Sequence, residues 1–166
     1  MRATTPAGIA ILDLRMRPEL FDRAADWHYG HWAAEARRTR AEIEGFYRAS
    51  LDERAVPATL IALRGDAPAG MASLRANDPF YPAAAHLSPW LDSLYVDFAH
   101  RGHGVGSALC EAVAALAREL GHQALYLGTP DQQRLYERLG WRWIADDPGL
   151  GHEMSSIMVR TLKPAE

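Results

Sequence analysis

Cysteine is almost missing from this chain: Cys110 stands alone in 166 residues. No intramolecular disulfide and no cysteine metal cluster can therefore form. Long apolar runs are missing too, since none reaches the length of a transmembrane span. The opening MRATTPAGIAILDL has no extended apolar segment leading to a cleavage site. Charge of either sign is nearly balanced, with 18 Lys+Arg against 21 Asp+Glu and a net charge of −3. No general basic field invites nucleic acid. There is neither a low-complexity tract nor an internal repeat, and 48% hydrophobic with 23% charged residues is the composition of a folded chain, not a disordered one. These absences predict a soluble cytoplasmic protein that takes neither nucleic acid nor membrane as a partner.

What is present reads as one α/β (α+β) domain over residues 1–166. GIAILDL (8–14) suits a first strand, and Pro18 stands where a helix begins. Leu20, Phe21, Ala24, Trp27 and His31 recur at helical spacing, and 33–50 reads as a second helix with Gly30 loosening the join. PATLIALRG and PAGMASLRAN, separated by the turn GDAP, predict a hairpin. Residues 77–90 carry three prolines and read as a loop, and LDSLYV follows as a strand. From Val105, the residues Ala108, Leu109, Ala112, Val113, Leu116, Ala117 and Leu120 form a continuous apolar stripe that Gly121 ends. QALYLGT is a strand, PDQQRLYERLG a short helix with Thr129 as its cap, and WRWIADD and EMSSIMVRTL are closing strands.

The stretch YVDFAHRGHGVGSAL raises the functional question. Gly102, Gly104 and Gly106 sit between a strand and the strongest helix, with Arg101 before them and Ser107 after. Without Cβ atoms, backbone N–H groups can approach an anion, and the helix N-terminus adds donors and a favourable dipole. A pyrophosphate is the expected guest. There is no GKS or GKT for a Walker loop, and glycines two apart do not make G-x-G-x-x-G. A plain glycine turn without ligand remains the alternative at this point. His100 and His103, even with His28 and His31, lack a well-placed third ligand and read as loop histidines, so no metal is expected. Cys110 reads as a helix-packing residue.

Strand, R-x-x-G-x-G and striped helix together resemble the GCN5-related N-acetyltransferase (GNAT) superfamily, with Arg101-Gly102-His103-Gly104-Val105-Gly106 filling the motif. LYLGTPDQQRLYERLGW is similar to the family's later strand and helix, in which a tyrosine precedes GF or GW. The resemblance covers about residues 56–145, with the cofactor-binding core over 91–140. It implies a mixed, mostly antiparallel central sheet of about seven strands flanked by about four helices, and acetyl-CoA as the acyl donor. By the same resemblance Leu94, Tyr95 and Val96 hold the pantetheine arm by backbone bonds. Arg101, Gly102, His103, Gly104, Val105, Gly106 and Ser107 grip the pyrophosphate. Thr129 falls where many members carry a cofactor-contacting asparagine. Tyr136 occupies the position of the acid that protonates the departing thiolate.

An amine attacking a thioester needs a group to take its proton and an N–H donor for the developing oxyanion. The backbone near Leu94 or Tyr95 suits the second need. For the first, Asp92 lies two residues before Leu94, so an uninterrupted strand puts both on one face. His86 and Glu35 are further candidates. The acceptor site is expected from the first two helices and the 77–90 loop, with Trp27, Trp32, Phe80 and His86 as contacts. An aromatic-walled pocket with a carboxylate suits a small-molecule amine. A protein or peptide amine, or a non-catalytic acyl-CoA-binding module, are the competing readings. SSIMVRTL is expected as an edge strand able to pair two copies into a homodimer.

Overall fold

The computed structural model describes residues 3–4, 8–151 and 153–164. Residues 1, 2 and 5–7 of the opening segment lie outside them. Twelve elements follow in order: β1 (Ala3–Thr4), β2 (Ile9–Asp13), α1 (Phe21–Ala36), α2 (Arg40–Ala49), β3 (Ala58–Arg64), β4 (Ala67–Arg75), β5 (Trp90–Val96), α3 (Val105–Glu119), β6 (Ala124–Thr129), α4 (Gln133–Arg138), β7 (Arg142–Asp147) and β8 (Ser155–Thr161). The strands form one sheet in the order β1-β2-β3-β4-β5-β6-β8-β7. It holds eight strands where about seven were expected, the addition being the two-residue β1. Every pairing is antiparallel except β5 with β6.

Strand alternation divides the core into two faces. In β3, Leu60 and Ala62 pack with α3, whereas Ile61 and Leu63 pack with α1 and α2. The stripe of α3 is buried through Val105, Leu109, Val113 and Ala117, joined by Cys110 and Ala114. Leu120 is exposed, so the buried face is turned slightly from the one the spacing suggests. Cys110 is fully buried, and desolvation pushes its thiol up to about 12. Beyond α1 and α2, the same sheet face is covered by the 77–89 loop, where Tyr81 stacks on Trp90 at 5.7 Å and packs with Ile157. Among the described residues, no helix is long and apolar enough to cross a membrane.

Three local expectations are corrected. The first helix runs through Gly30 to Ala36 and ends at Arg37, whose φ of 51° is left-handed. Thr39 then opens α2 with a capping box to Glu42, an arrangement that sets the boundary more firmly than an exposed glycine breaks a helix. Thr129 is not the N-cap of α4, because Gln132 holds that position. The Thr129 hydroxyl accepts from Gln132 N at 3.0 Å and closes the turn that leads in. SSIMVRTL is not an edge: β8 returns between β6 and β7, and Ile157, Met158 and Val159 are all buried, as a strand covered on both faces requires. The edge on that side is β7.

Candidate active site

The site grows from an irregularity in β5. Gly70 pairs with Val96 and Met71 with Tyr95, but Ser73 pairs with Asp92, so β5 carries one extra residue. Ser93 absorbs it at φ 56°, one of the two described non-glycine residues with positive φ. The extra residue shifts the alternation. Leu91, Leu94 and Val96 pack toward α3, while Tyr95 packs toward α1 and α2. Asp92 also faces the two helices, 3.5 Å from Arg75, whose guanidinium lies 4.4 Å from the Phe46 ring. Asp92 and Leu94 thus lie on opposite faces, contrary to the expectation from an uninterrupted strand.

Toward β6, β5 is joined by a single parallel pair, Trp90 with Tyr126, and beyond it the two strands part. Backbone polar groups alternate in direction along β5: Asp97 N donates to the Ala69 carbonyl and the Tyr95 carbonyl lies against Gly70, both on the β4 side, which leaves Leu94 and Val96, and not Tyr95, to face that opening. After a short turn over Phe98–His100, Gly102 (φ 74°) and Gly104 (φ 82°) wind the chain into α3 in a conformation that side chains disfavour. No heavy atom outside the chain neighbours stands within 4 Å of the position a Cβ would take at either glycine. Gly104 is the N-cap of α3 and supplies no side-chain cap, so the first N–H groups, including those of Val105, Gly106 and Ser107, have no cap partner. Arg101 lies over Tyr95 and Phe98, 5.8 and 5.5 Å from their ring centres, and its Nε donates to the Val96 carbonyl at 3.1 Å. The His103 Nδ1–H donates to the Arg101 carbonyl at 2.8 Å, and Arg64 donates to His100 Nδ1 at 3.2 Å. A cradle of open glycines, uncapped amides and a cation fits an anionic pyrophosphate, and an unpaired strand edge fits an amide-bearing arm.

Tyr136 is buried in the α3 face, edge-on to Trp141 at 6.1 Å. Burial, with the nearby Cys110 and Asp131, pushes its phenol well above the ordinary range, so it holds its proton at neutral pH. Thr129 is buried at the end of β6.

On the opposite face, Trp27, His31 and Trp32 of α1 surround Tyr95 at 5.7, 5.5 and 6.2 Å. Beside them lies a polar group that the sequence reading missed. The Tyr47 hydroxyl is 2.7 Å from His28 Nδ1, and the Ser93 hydroxyl is 3.3 Å from the same nitrogen. Burial drives His28 down to about 4; the Asp92 carboxylate opposes this, and the charges of Arg75, Arg38 and His31 reinforce it. Asp78 was missed as well. Burial, and then the charge of Asp92, push its carboxyl up to about 8, against the Phe80 N–H it accepts at 2.9 Å and the cations of Arg75 and Arg38. Phe80 meets this group only through its N–H on Asp78, and His86 does not reach it. Phe80 packs on Tyr81 at 5.0 Å and accepts from Leu150 N at 2.8 Å, and His86 is exposed. Glu35 is exposed on α1. The dipeptide Asn77-Asp78 before Pro79 signals an Asx turn, but nothing local announces a bulge at Ser93.

The sequence model of the Acetyltransferase (GNAT) family matches residues 13–141. The chain belongs to the GNAT acetyltransferase family. Its acyl donor is acetyl-CoA. No curated protein matches the sequence of this acetyltransferase. Its fold is similar to that of aminoglycoside 6'-acetyltransferase type Ii, at TM-score 0.71 and 21% identity, covering 94% of this chain and 99% of the other. It is similar to Ard1 from Thermoplasma volcanium at TM-score 0.71 and 18% identity, with the same coverage. An aminoglycoside 6'-N-acetyltransferase complexed with coenzyme A matches at TM-score 0.69 and 18% identity, over 94% of this chain and 98% of that one.

Proposed function

We propose that this acetyltransferase is a single-domain enzyme that acetylates a primary amine of a small molecule by direct attack in a ternary complex, without an acyl-enzyme. One observation carries the reading: β5 presents an unpaired backbone edge toward the opening beside β6, and a carboxylate with aromatic side chains toward α1 and α2. Acetyl-CoA supplies the acetyl group as a thioester. Leu94 and Val96 hold its arm by their backbone, and Arg101, Gly102, His103, Gly104, Val105, Gly106 and Ser107 hold its pyrophosphate. The Leu94 N–H faces the oxygen on which charge develops. Tyr136, which keeps its proton at neutral pH, donates it to the departing thiolate. Asp92 attracts the ammonium form of the acceptor. Asp78, pushed up to about 8 by burial and by the neighbouring Asp92, keeps its own proton at neutral pH, so Asp92 is the carboxylate left to take the proton that the amine must lose. Trp27, Trp32 and Tyr95 wall the acceptor side. The near-balanced surface charge favours a small acceptor over a cationic protein substrate.

The test is thiol release from acetyl-CoA across a panel of aminoglycosides, polyamines, amino-acid derivatives and peptides. Turnover on small amines above peptides supports the reading. Turnover on peptides alone assigns a protein acceptor, and tight acetyl-CoA binding without any turnover assigns a regulatory module.

A further inference from the structure

We propose that His28 and Tyr47 are positioning residues that tether the Ser93 bulge, and through it set the direction of the Leu94 amide at the reacting carbonyl. The proposal rests on the reading of β5 as the reaction strand.

The bulge has a backbone cost. Ser93 sits at φ 56°, a region that glycine enters freely and serine does not. A glycine would meet the backbone requirement, so what serine adds at this position is its hydroxyl. That hydroxyl is buried and bonded to a buried partner: Ser93, His28 and Tyr47 are 7%, 8% and 2% exposed. Both hydroxyls stand near His28 Nδ1, at 3.3 and 2.7 Å, but that nitrogen offers one lone pair. The closer Tyr47 phenol takes it, and the Ser93 hydroxyl donates to the Tyr47 oxygen, so the tether runs from Ser93 through Tyr47 to His28.

Proton bookkeeping fixes the roles. Burial pushes the Tyr47 phenol well above its ordinary range, so it keeps its hydrogen and donates to Nδ1. Nδ1 is then an acceptor, the imidazole is neutral, and its hydrogen resides on Nε2. The groups that bear on this imidazole come from every neighbouring element: Trp32 and His31 from α1, Phe46 and Tyr47 from α2, Arg38 from the connection between those helices, Arg75 from β4 and Asp92 from β5. The tether joins residues 65 positions apart, and it meets β5 one residue before Leu94. The two helices on the acceptor side therefore hold the strand segment whose amides serve the donor.

Three variants separate positioning from mere packing. Ser93→Gly keeps the left-handed backbone and cuts the tether. Ser93→Asn tolerates that backbone and restores a donor. Tyr47→Phe removes the phenolic donor. Turnover with the best amine of the panel is expected to fall about 10- to 100-fold in Ser93→Gly and Tyr47→Phe. Acetyl-CoA dissociation constants should rise by much less than turnover falls in both, because Val96 and the cradle from Arg101 to Ser107 still hold the donor, so the loss lies mainly in kcat. Ser93→Asn should recover most of the turnover. Amide hydrogen exchange at Leu94 and Tyr95 should speed up in the two cut variants and not in Ser93→Asn. Wild-type turnover in Ser93→Gly, a matching loss of donor affinity, or no recovery in Ser93→Asn would each overturn the tether. If no amine in the panel turns over, the acceptor reading fails by itself. The exchange rates then decide the tether, and unchanged protection in both cut variants refutes it.

Discussion

Acid should weaken this fold through one imidazole. His28 is 8% exposed and held down to about 4 from an ordinary 6.5, chiefly by burial. The sign follows from which state takes the proton. Above 6.5 neither state is protonated at this site, and its contribution to stability is complete. Between 6.5 and about 4 the unfolded chain binds a proton that the folded protein refuses, so stability falls as pH falls. The displacement corresponds to roughly 3 kcal/mol over that window. Protonation also places a hydrogen on Nδ1, where the Tyr47 hydroxyl donates, and breaks the tether at the same time. In His28→Gln an amide oxygen can accept from Tyr47 and nothing titrates. Urea unfolding of both proteins from pH 7.5 to 4.5 is the assay. The wild-type curve should lose stability relative to the glutamine variant, with a relative slope approaching about 1.4 kcal/mol per pH unit. Parallel curves across the window would refute the burial argument.

Other perturbations act on the donor side and on the second carboxylate. Tyr136→Phe should lower kcat strongly while leaving acetyl-CoA affinity nearly unchanged, as measured by thiol release and titration calorimetry; unchanged turnover would remove Tyr136 from the chemistry. Gly70→Ala places a Cβ 2.5 Å from the Tyr95 carbonyl and 3.2 Å from Val105 Cγ1, forcing β4 and β5 apart. It should cost about 1–3 kcal/mol in urea unfolding and weaken acetyl-CoA binding, and retention of both would show that the strands have slack. Asp78→Asn should gain stability relative to wild type as pH rises from about 4 to 8, because the raised carboxyl favours folding only while it keeps its proton. Equal pH dependence in the two proteins would mean that Asp78 is well solvated.

Legibility in the sequence followed the locality of the cause. The glycine cradle and α3 were readable because each depends on neighbours within a turn or two: positive-φ glycines, an apolar stripe, a stop at Gly121. The capping box at Thr39 and Glu42 is equally local, and its T-x-x-E spacing marks the helix boundary that the exposed Gly30 does not. Asp92 and Leu94 came out on opposite faces because parity in a strand survives only while no residue is inserted, and the bulge at Ser93 is held by side chains from α1 and α2. His28 looked like one of several loose histidines, and only the folded chain brings it to Tyr47 and Ser93. The inner place of β8 was likewise invisible, since strand order depends on how β6, β7 and β8 assemble and not on any one of them.

The single pair between Trp90 and Tyr126 has a mechanical side. Strands β1 to β5 form one plate and β6 to β8 another, and one ladder rung is all the main chain contributes to their joint. The remaining grip comes from side chains, with α3 packed on one surface and the Tyr81–Trp90 stack on the other. Such a joint resists shear through its packed faces, and hydrogen bonding contributes little to it. The width of the slot is therefore set by side-chain packing, with Leu91 of β5 and Leu125 and Leu127 of β6 in one core with α3, and not by main-chain pairing.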